Sequence, residues 1–228
     1  MAGFPMFVEL SGRRCLVVGG GSVALRKINT LLQFDADVLV YAREADPCVR
    51  QLAEDGKITL MVGEISLLAQ ENAGGPGGTS GAAHDASFLD GAFLVICATD
   101  DADLNHDIAR FCRERHIPVN SATGAGDSTF IFPSVIVRDD ITVGISTSGQ
   151  APALSRHIRQ ELEMALPEWY GVLGQRLAAY RVRLGGLCGV PAVRGEIMKA
   201  LMAYGLSHEG EVPEAVFLEI LERVGGCE

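Results

Sequence analysis

The stretch Arg14-Cys15-Leu16-Val17-Val18-Gly19-Gly20-Gly21-Ser22-Val23-Ala24-Leu25-Arg26-Lys27 constrains everything around it. A short apolar run ends in three glycines, and helical spacing follows at once. Gly19, Gly21 and Ala24 fill the G-x-G-x-x-G/A positions of a dinucleotide-binding turn. Gly19 permits a sharp strand-to-helix turn. Gly21 lets backbone approach a pyrophosphate with no Cβ in the way, and Ala24 lets the helix pack closely on the strand. The helix start then offers unpaired N–H groups and a partial positive charge to the phosphates. The bland alternative is a glycine-rich βα turn without a ligand; the order strand, turn, helix favours cofactor binding.

Elsewhere the pattern repeats. Residues 22–34 place Ala24, Ile28, Leu31 and Leu32 on one helical face. Asp37 to Tyr41 reads as a second strand, Pro47 to Asp55 as a short helix stopped by Gly56, and Ile58 to Val62 as a third strand. Residues 73–83 are too rich in glycine for a packed element and read as a surface loop insertion. Ala92 to Ala98 is the next buried strand. A helix follows, for which Asp103 is a candidate cap, and Ile117 to Asn120 is a fifth strand. This alternation predicts an α/β fold with a Rossmann-type doubly wound parallel sheet. A short strand at Phe7 to Leu10 is also expected.

After Asn120 the character changes. Thr129 to Phe132, Ser134 to Arg138 and Ile141 to Ser146 read as short strands, suited to a small antiparallel element or to pairing across a dimer. From Pro152 the chain is helical, with Leu154, Ile158, Leu162 and Ala165 near four-residue spacing. The expected organisation is therefore a dinucleotide-binding domain over 1–119, a central dimerisation segment over 120–150 and a helical C-terminal domain over 151–228.

Composition narrows function. The formal net charge of −10 argues against a general nucleic-acid binder, which needs a basic surface. An acidic ligand must then find a local basic pocket. The six cysteines form no C-x-x-C pair and no zinc spacing, and the five histidines show no H-x-x-H, so no metal site is expected. This cysteine usage suits a reducing cytoplasm. The first residues show no signal-peptide pattern, and no apolar run approaches the ~20 residues of a membrane span.

Three stretches converge at the carboxyl ends of the expected parallel strands: Gly19 to Val23, Tyr41 to Glu44 and Ala98 to Asp101. Glu44 suits the ribose hydroxyls of NAD. Arg43 instead suits a 2′-phosphate, which leaves NADP open. Thr99 and Asp100 are candidate phosphate or ribose contacts, with capping of the next helix as the alternative. A second turn, Ser146-Thr147-Ser148-Gly149-Gln150-Ala151-Pro152, places three hydroxyls before a helix carrying Arg156, His157 and Arg159. Hydroxyls, cations and a helix N-terminus suit a carboxylate or phosphate.

Taken together, Gly19 to Lys27, Ala98-Thr99-Asp100-Asp101, Asn120, Phe130-Ile131-Phe132-Pro133-Ser134 and Ile145 to Arg156 resemble the precorrin-2 dehydrogenase domain of sirohaem synthases, including its stand-alone forms. The resemblance runs from about Phe4 to about Leu184. It implies NAD-dependent oxidation of the tetrapyrrole precorrin-2 to sirohydrochlorin by a homodimer. It also implies cofactor contacts at Ser22, Val23, Arg43 and Glu44, and a serine that is phosphorylated in some members at Thr147 or its neighbours. Substrate carboxylates fall to Ser146, Thr147, Ser148, Arg156 and Arg159. In one place the chain departs from the pattern. The family's acid/base aspartate position holds Thr123, and Asp127, four residues on, is the candidate in its place. A bifunctional dehydrogenase and ferrochelatase, and a non-catalytic nucleotide-sensing module, remain the alternatives.

Overall fold

The computed structural model describes residues 3–64 and 86–225. The glycine-rich stretch at 73–83, His84 and Cys227 lie outside these residues. The chain divides into two compact units, one of Met1–Phe132 with Ser148–Gln150, the other of Pro133–Thr147 with Ala151–Glu228. The segment 120–150 is thus shared between the two.

The first unit is built on a five-stranded parallel sheet. Its strands are β1 (Arg14–Val18), β2 (Asp37–Ala42), β3 (Thr59–Val62), β4 (Leu94–Cys97) and β5 (Val119–Ser121), in the order β3-β2-β1-β4-β5. Helices α1 (Ser22–Leu32), α2 (Pro47–Glu54) and α3 (Ala102–Glu114) provide crossovers. The doubly wound sheet expected from the alternation is present. After the exposed Arg14 and Asp37 that open β1 and β2, its central strands are apolar because both faces are covered. Cys15, Val17, Val38, Val40 and Ile96 face one core with Ala24, Ile28 and Leu31 of α1. Leu16, Val18, Tyr41, Val95 and Cys97 face the other with Ile108, Ala109 and Cys112 of α3.

Three local expectations are corrected. Phe7 to Leu10 forms no strand: both edges of β1 are taken by β2 and β4, so nothing is left there to pair with. Thr129 to Phe132 forms none either, because that segment serves the outer edge of β5 with side chains. The Val119 N–H donates to Thr129 Oγ1 at 2.8 Å, and the Ser121 N–H donates to Ser128 Oγ at 2.9 Å. Finally, α3 is capped by Asp101, whose Oδ1 accepts from the Leu104 N–H at 3.0 Å; Asp103 sits inside the first turn.

The second unit opens with an antiparallel hairpin of β6 (Ser134–Arg138) and β7 (Ile141–Ile145), turned at Asp139, whose φ is +48°. Helices α4 (Pro152–Ala165), α5 (Trp169–Leu187), α6 (Pro191–Ser207) and α7 (Glu214–Gly225) follow. Leu173, Tyr180, Leu184, Ile197, Leu201, Val212, Phe217 and Ile220 form the core of α5, α6 and α7. The buried Tyr180 hydroxyl donates to the Val212 carbonyl at 2.9 Å. The α4 helix lies against the hairpin, where Arg138 Nε donates to the Leu166 carbonyl at 2.9 Å. The periodic Leu154 and Leu162 of α4 remain exposed. No helix among the described residues is long and apolar enough to cross a membrane.

Candidate functional site

The turn after β1 is shaped by contacts that a side chain would break. Gly19 has φ +119°, and a Cβ there would collide with the Ala98 carbonyl at the end of β4. A Cβ on Gly20 would collide with the Glu44 carbonyl and lie 2.8 Å from Ala45 Cα. Gly21 differs: a Cβ would meet nothing within 4 Å, and its φ of −86° suits any residue. Nothing in the protein's own packing demands a glycine there, which leaves space in front of the helix for a ligand that does. Gly21 is the N-cap of α1, no side chain caps that terminus, and its first turn holds no acidic residue. Ser22 and Val23 stand exposed on that turn, while Ala24 is fully buried against the sheet. An uncapped N-terminus with open space before it fits a pyrophosphate.

Around this turn lie the ends of β2 and β4. Arg43 and Glu44 follow β2 and are exposed. Arg43 Nη2 lies 3.7 Å from Asp100 Oδ1, so two of the cofactor candidates meet across the carboxyl edge of the sheet. Thr99 belongs to a different network. Its Oγ1 lies 2.7 Å from Oδ1 of the buried Asn105, whose Nδ2 donates to the Thr99 carbonyl at 3.0 Å and to Thr123 Oγ1 at 3.1 Å. Asn105 thereby ties the end of β4 to the segment after β5. Sequence reasoning missed it because a polar residue in an amphipathic helix carries no local sign of burial.

Lys27 was also unforeseen. It sits on the buried face of α1, where its ammonium donates to Asn120 Oδ1 on β5 and lies 5.4 Å from the centre of the Phe132 ring. Asn120 Nδ2 in turn donates to the Phe130 carbonyl at 3.0 Å. Burial, with some repulsion from Arg26, pushes the Lys27 pKa down to about 8. Burial pushes the thiols of Cys15, Cys97 and Cys112 up to about 11, about 12 and about 11. They are inert core residues rather than nucleophiles.

Asp127 is not a free carboxylate. It lies in a single 3₁₀ turn, Ala125–Asp127, with Oδ1 2.9 Å from His106 Nδ1 and 3.6 Å from Arg113 Nη2, both on α3. Its Oδ2 occupies the room left by the missing side chain of Gly124, next to Thr123.

In the second unit, Thr147 Oγ1 lies 2.8 Å from Ser155 Oγ and accepts from the Ala151 N–H at 3.3 Å, fixing the start of α4. Ser148, counted with the first unit, adopts φ +55°. Arg159 is paired with Glu163 one turn on at 2.8 Å, whereas Arg156 and His157 are exposed.

Sheet order, the glycine turn and the open helix terminus define a dinucleotide-binding protein of the Rossmann class. The family described as "Putative NAD(P)-binding" matches residues 6–134, more than half of the chain, and "Sirohaem biosynthesis protein central" matches 138–164. The chain belongs to that NAD(P)-binding family and carries the sirohaem biosynthesis segment directly after it. A siroheme synthase of Nitrosococcus oceani is 35% identical over 98% of this chain and 42% of its own length. Those of Photorhabdus laumondii and Sodalis glossinidius are 38% and 36% identical over 79% of this chain and 34% of theirs. The chain thus spans between a third and just over two fifths of the length of these relatives. A solved structure titled "SirC, precorrin-2 dehydrogenase" has the same fold, with a TM-score of 0.67 at 22% identity over 98% of this chain and 100% of that one.

Proposed function

We propose that the protein is an NAD-dependent precorrin-2 dehydrogenase, oxidising precorrin-2 to sirohydrochlorin. The observation that carries this reading is the uncapped α1 terminus behind Gly21, where open space meets a helix start free of acidic side chains. The siroheme synthase relatives and the solved precorrin-2 dehydrogenase supply the substrate class. In this reading Gly19, Gly21, Ser22 and Val23 hold the pyrophosphate, Glu44 takes the ribose hydroxyls, and Thr99 and Asp100 line the far side. Glu44 at the end of β2 suits the ribose hydroxyls of NAD and would repel a 2′-phosphate, which favours NAD over NADP. When bound, NAD supplies a hydride acceptor. The rest is positioning: the chain must hold the macrocycle against the nicotinamide and exclude water.

The substrate carries several carboxylates, and a chain of net charge −10 repels them at long range. Ser146, Thr147, Ser148, Arg156 and Arg159 are their proposed partners. Arg156 carries most of that role, because Arg159 is already neutralised by Glu163. The protein works as a homodimer in the cytoplasm. Free cysteines at all five described positions and the exposed apolar residues of α4 support this.

The test is an anaerobic assay of precorrin-2 with NAD or NADP, following reduced cofactor and sirohydrochlorin together. The expected result is one reduced NAD per sirohydrochlorin, with NADP slower. Cofactor binding without turnover would overturn the reading in favour of a nucleotide sensor. Metal insertion into supplied sirohydrochlorin, measured beside it, would add a chelatase activity.

A further inference from the structure

Removing two hydrogens from a tetrapyrrole splits them unequally. One leaves as hydride, with both electrons of its C–H bond, to the nicotinamide. The other leaves as a proton and needs an acceptor on the protein. The described residues at the carboxyl edge of the sheet offer few. Asp101 is occupied in capping α3, and Asp100 faces Arg43 on the ribose side. Lys27 is buried on the opposite face, with its ammonium on Asn120. Thr99 and Thr123 are uncharged and tied to Asn105.

What remains is the pair formed by His106 and Asp127. His106 lies in the second turn of α3, beside Asn105, which binds the ends of both β4 and β5. Its Nδ1 is 2.9 Å from Asp127 Oδ1. Among the described residues its Nε2 has no hydrogen-bond partner, and 55% of the side chain is exposed. Asp127 is the better anchored of the two: its side chain is only 18% exposed, and its carboxylate is held by Arg113 from one side and seated over Gly124 on the other. A carboxylate fixed against Nδ1 selects the tautomer with the proton on Nδ1, so that Nε2 carries the lone pair. It also stabilises the imidazolium once Nε2 has taken a proton. A structural ion pair would not require that the outer nitrogen stay open.

We infer that His106, oriented by Asp127, is the proton acceptor of the oxidation. This rests on the dehydrogenase reading. In the step, a hydrogen leaves the macrocycle as hydride to the dinucleotide, and the second passes as a proton to His106 Nε2. The imidazolium then releases that proton to solvent, through its exposed edge, before the next turnover. His106 touches the reacting atoms; Asp127 is a positioning residue. The charged groups around the imidazole are Asp127 on the turn after β5, and Asp103, Arg110 and Arg113 on α3 itself. Of the strands packed against α3, β4 adds only the buried Cys97 thiol and β5 no ionisable group.

The experiment compares the full-length parent with His106→Gln and Asp127→Asn in the anaerobic precorrin-2 assay, across pH, with NAD affinity and thermal melting as controls. His106 is half exposed, so His106→Gln folds. For it, kcat falls roughly 10²- to 10⁴-fold, the range of lost general-base catalysis. KM and NAD affinity stay within about twofold, and the parent's fall in kcat toward acid pH disappears. Asp127→Asn lowers kcat less and shifts that acid limb rather than removing it. If His106→Gln keeps the parent's kcat and acid limb, the inference is wrong while the dehydrogenase reading stands. If the parent itself does not reduce NAD with precorrin-2, the reading fails and takes this inference with it.

Discussion

A buried lysine whose ammonium meets only an amide oxygen and a phenyl ring is the most exposed weakness of the first unit. Lys27 costs folding free energy as long as it is charged. Its pKa is about 8 in the fold against about 10.5 unfolded. Between those values the unfolded chain binds more protons, so the lysine's contribution to stability rises with pH across that window and is flat below it. The size is on the order of 3 kcal/mol. The thiols of Cys15, Cys97 and Cys112 act the opposite way: raised in the fold, they hold protons that the unfolded chain gives up above about pH 9. Their sum wins in the parent at high pH, so the lysine is isolated by subtraction. The stability of the parent minus that of Lys27→Met, from urea midpoints, is expected to rise from pH 8 to pH 10; a constant difference would show that the lysine pays no burial cost. A second residue-scale test concerns the substrate. Arg156→Ala is expected to raise KM for precorrin-2 roughly ten- to hundredfold, the loss of one charge-assisted hydrogen bond, with NAD affinity unchanged. An unaltered KM in the folded variant would remove Arg156 from the carboxylate site. Neither Lys27 nor Asn105 was legible as a buried group, because burial of a polar residue depends on a partner far along the chain. Lys27 meets Asn120, and Asn105 meets Thr123. The same distance hid the pairing of His106 with Asp127.

At the scale of elements, periodicity was a good guide where packing enforces it. The five parallel strands stand where their apolar runs predict them, within one or two residues; β1, β2, β4 and β5 are held there by burial, while the edge strand β3, largely exposed, is held by its pairing with β2. The four C-terminal helices each begin at or within two residues of a proline, Pro152, Pro167, Pro191 and Pro213, although the periodic leucines Leu154 and Leu162 of α4 stay exposed. The failures were strands that lacked a neighbour. Phe7 to Leu10 and Thr129 to Phe132 have strand-like composition, but a strand exists only as a pair, and no local pattern reveals whether an edge is free. The second segment, with Ser128 before it, still serves the edge of β5, by side chains and by the Thr129 N–H, which donates to the Val119 carbonyl at 2.8 Å. Thr129 and Ser128 satisfy the N–H groups of Val119 and Ser121 along the edge of β5. This blunts an edge that would otherwise invite another chain. Thr129→Val keeps the shape and removes that acceptor. It is expected to cost about 1–3 kcal/mol, read as a lower urea midpoint with an unchanged slope. A midpoint equal to the parent's would mean that water replaces the hydroxyl without loss.

Considered as a whole molecule, the chain has two units, each with its own core, and surface it does not cover by itself. Val182 on α5 and Met164 on α4 are exposed by 79% and 71%. Sedimentation at micromolar concentration is expected to give a homodimer, and a monomer would contradict that assembly. The need for glycine at the sharp turn was legible at Gly19, whose φ is +119°. The third glycine, Gly20, has its reason only in the folded chain, where Glu44 and Ala45 crowd it. That contrast supplies the most direct check on the cofactor seat, from which every functional statement follows. Gly21 has open space before it, so Gly21→Asp leaves the fold intact while setting a carboxylate against the pyrophosphate. Calorimetric titration of NAD into parent and variant, both shown folded by their melting, is the measurement. The account predicts saturable binding, one NAD per chain, in the parent and none detectable in Gly21→Asp. Equal affinity in the two proteins would contradict it.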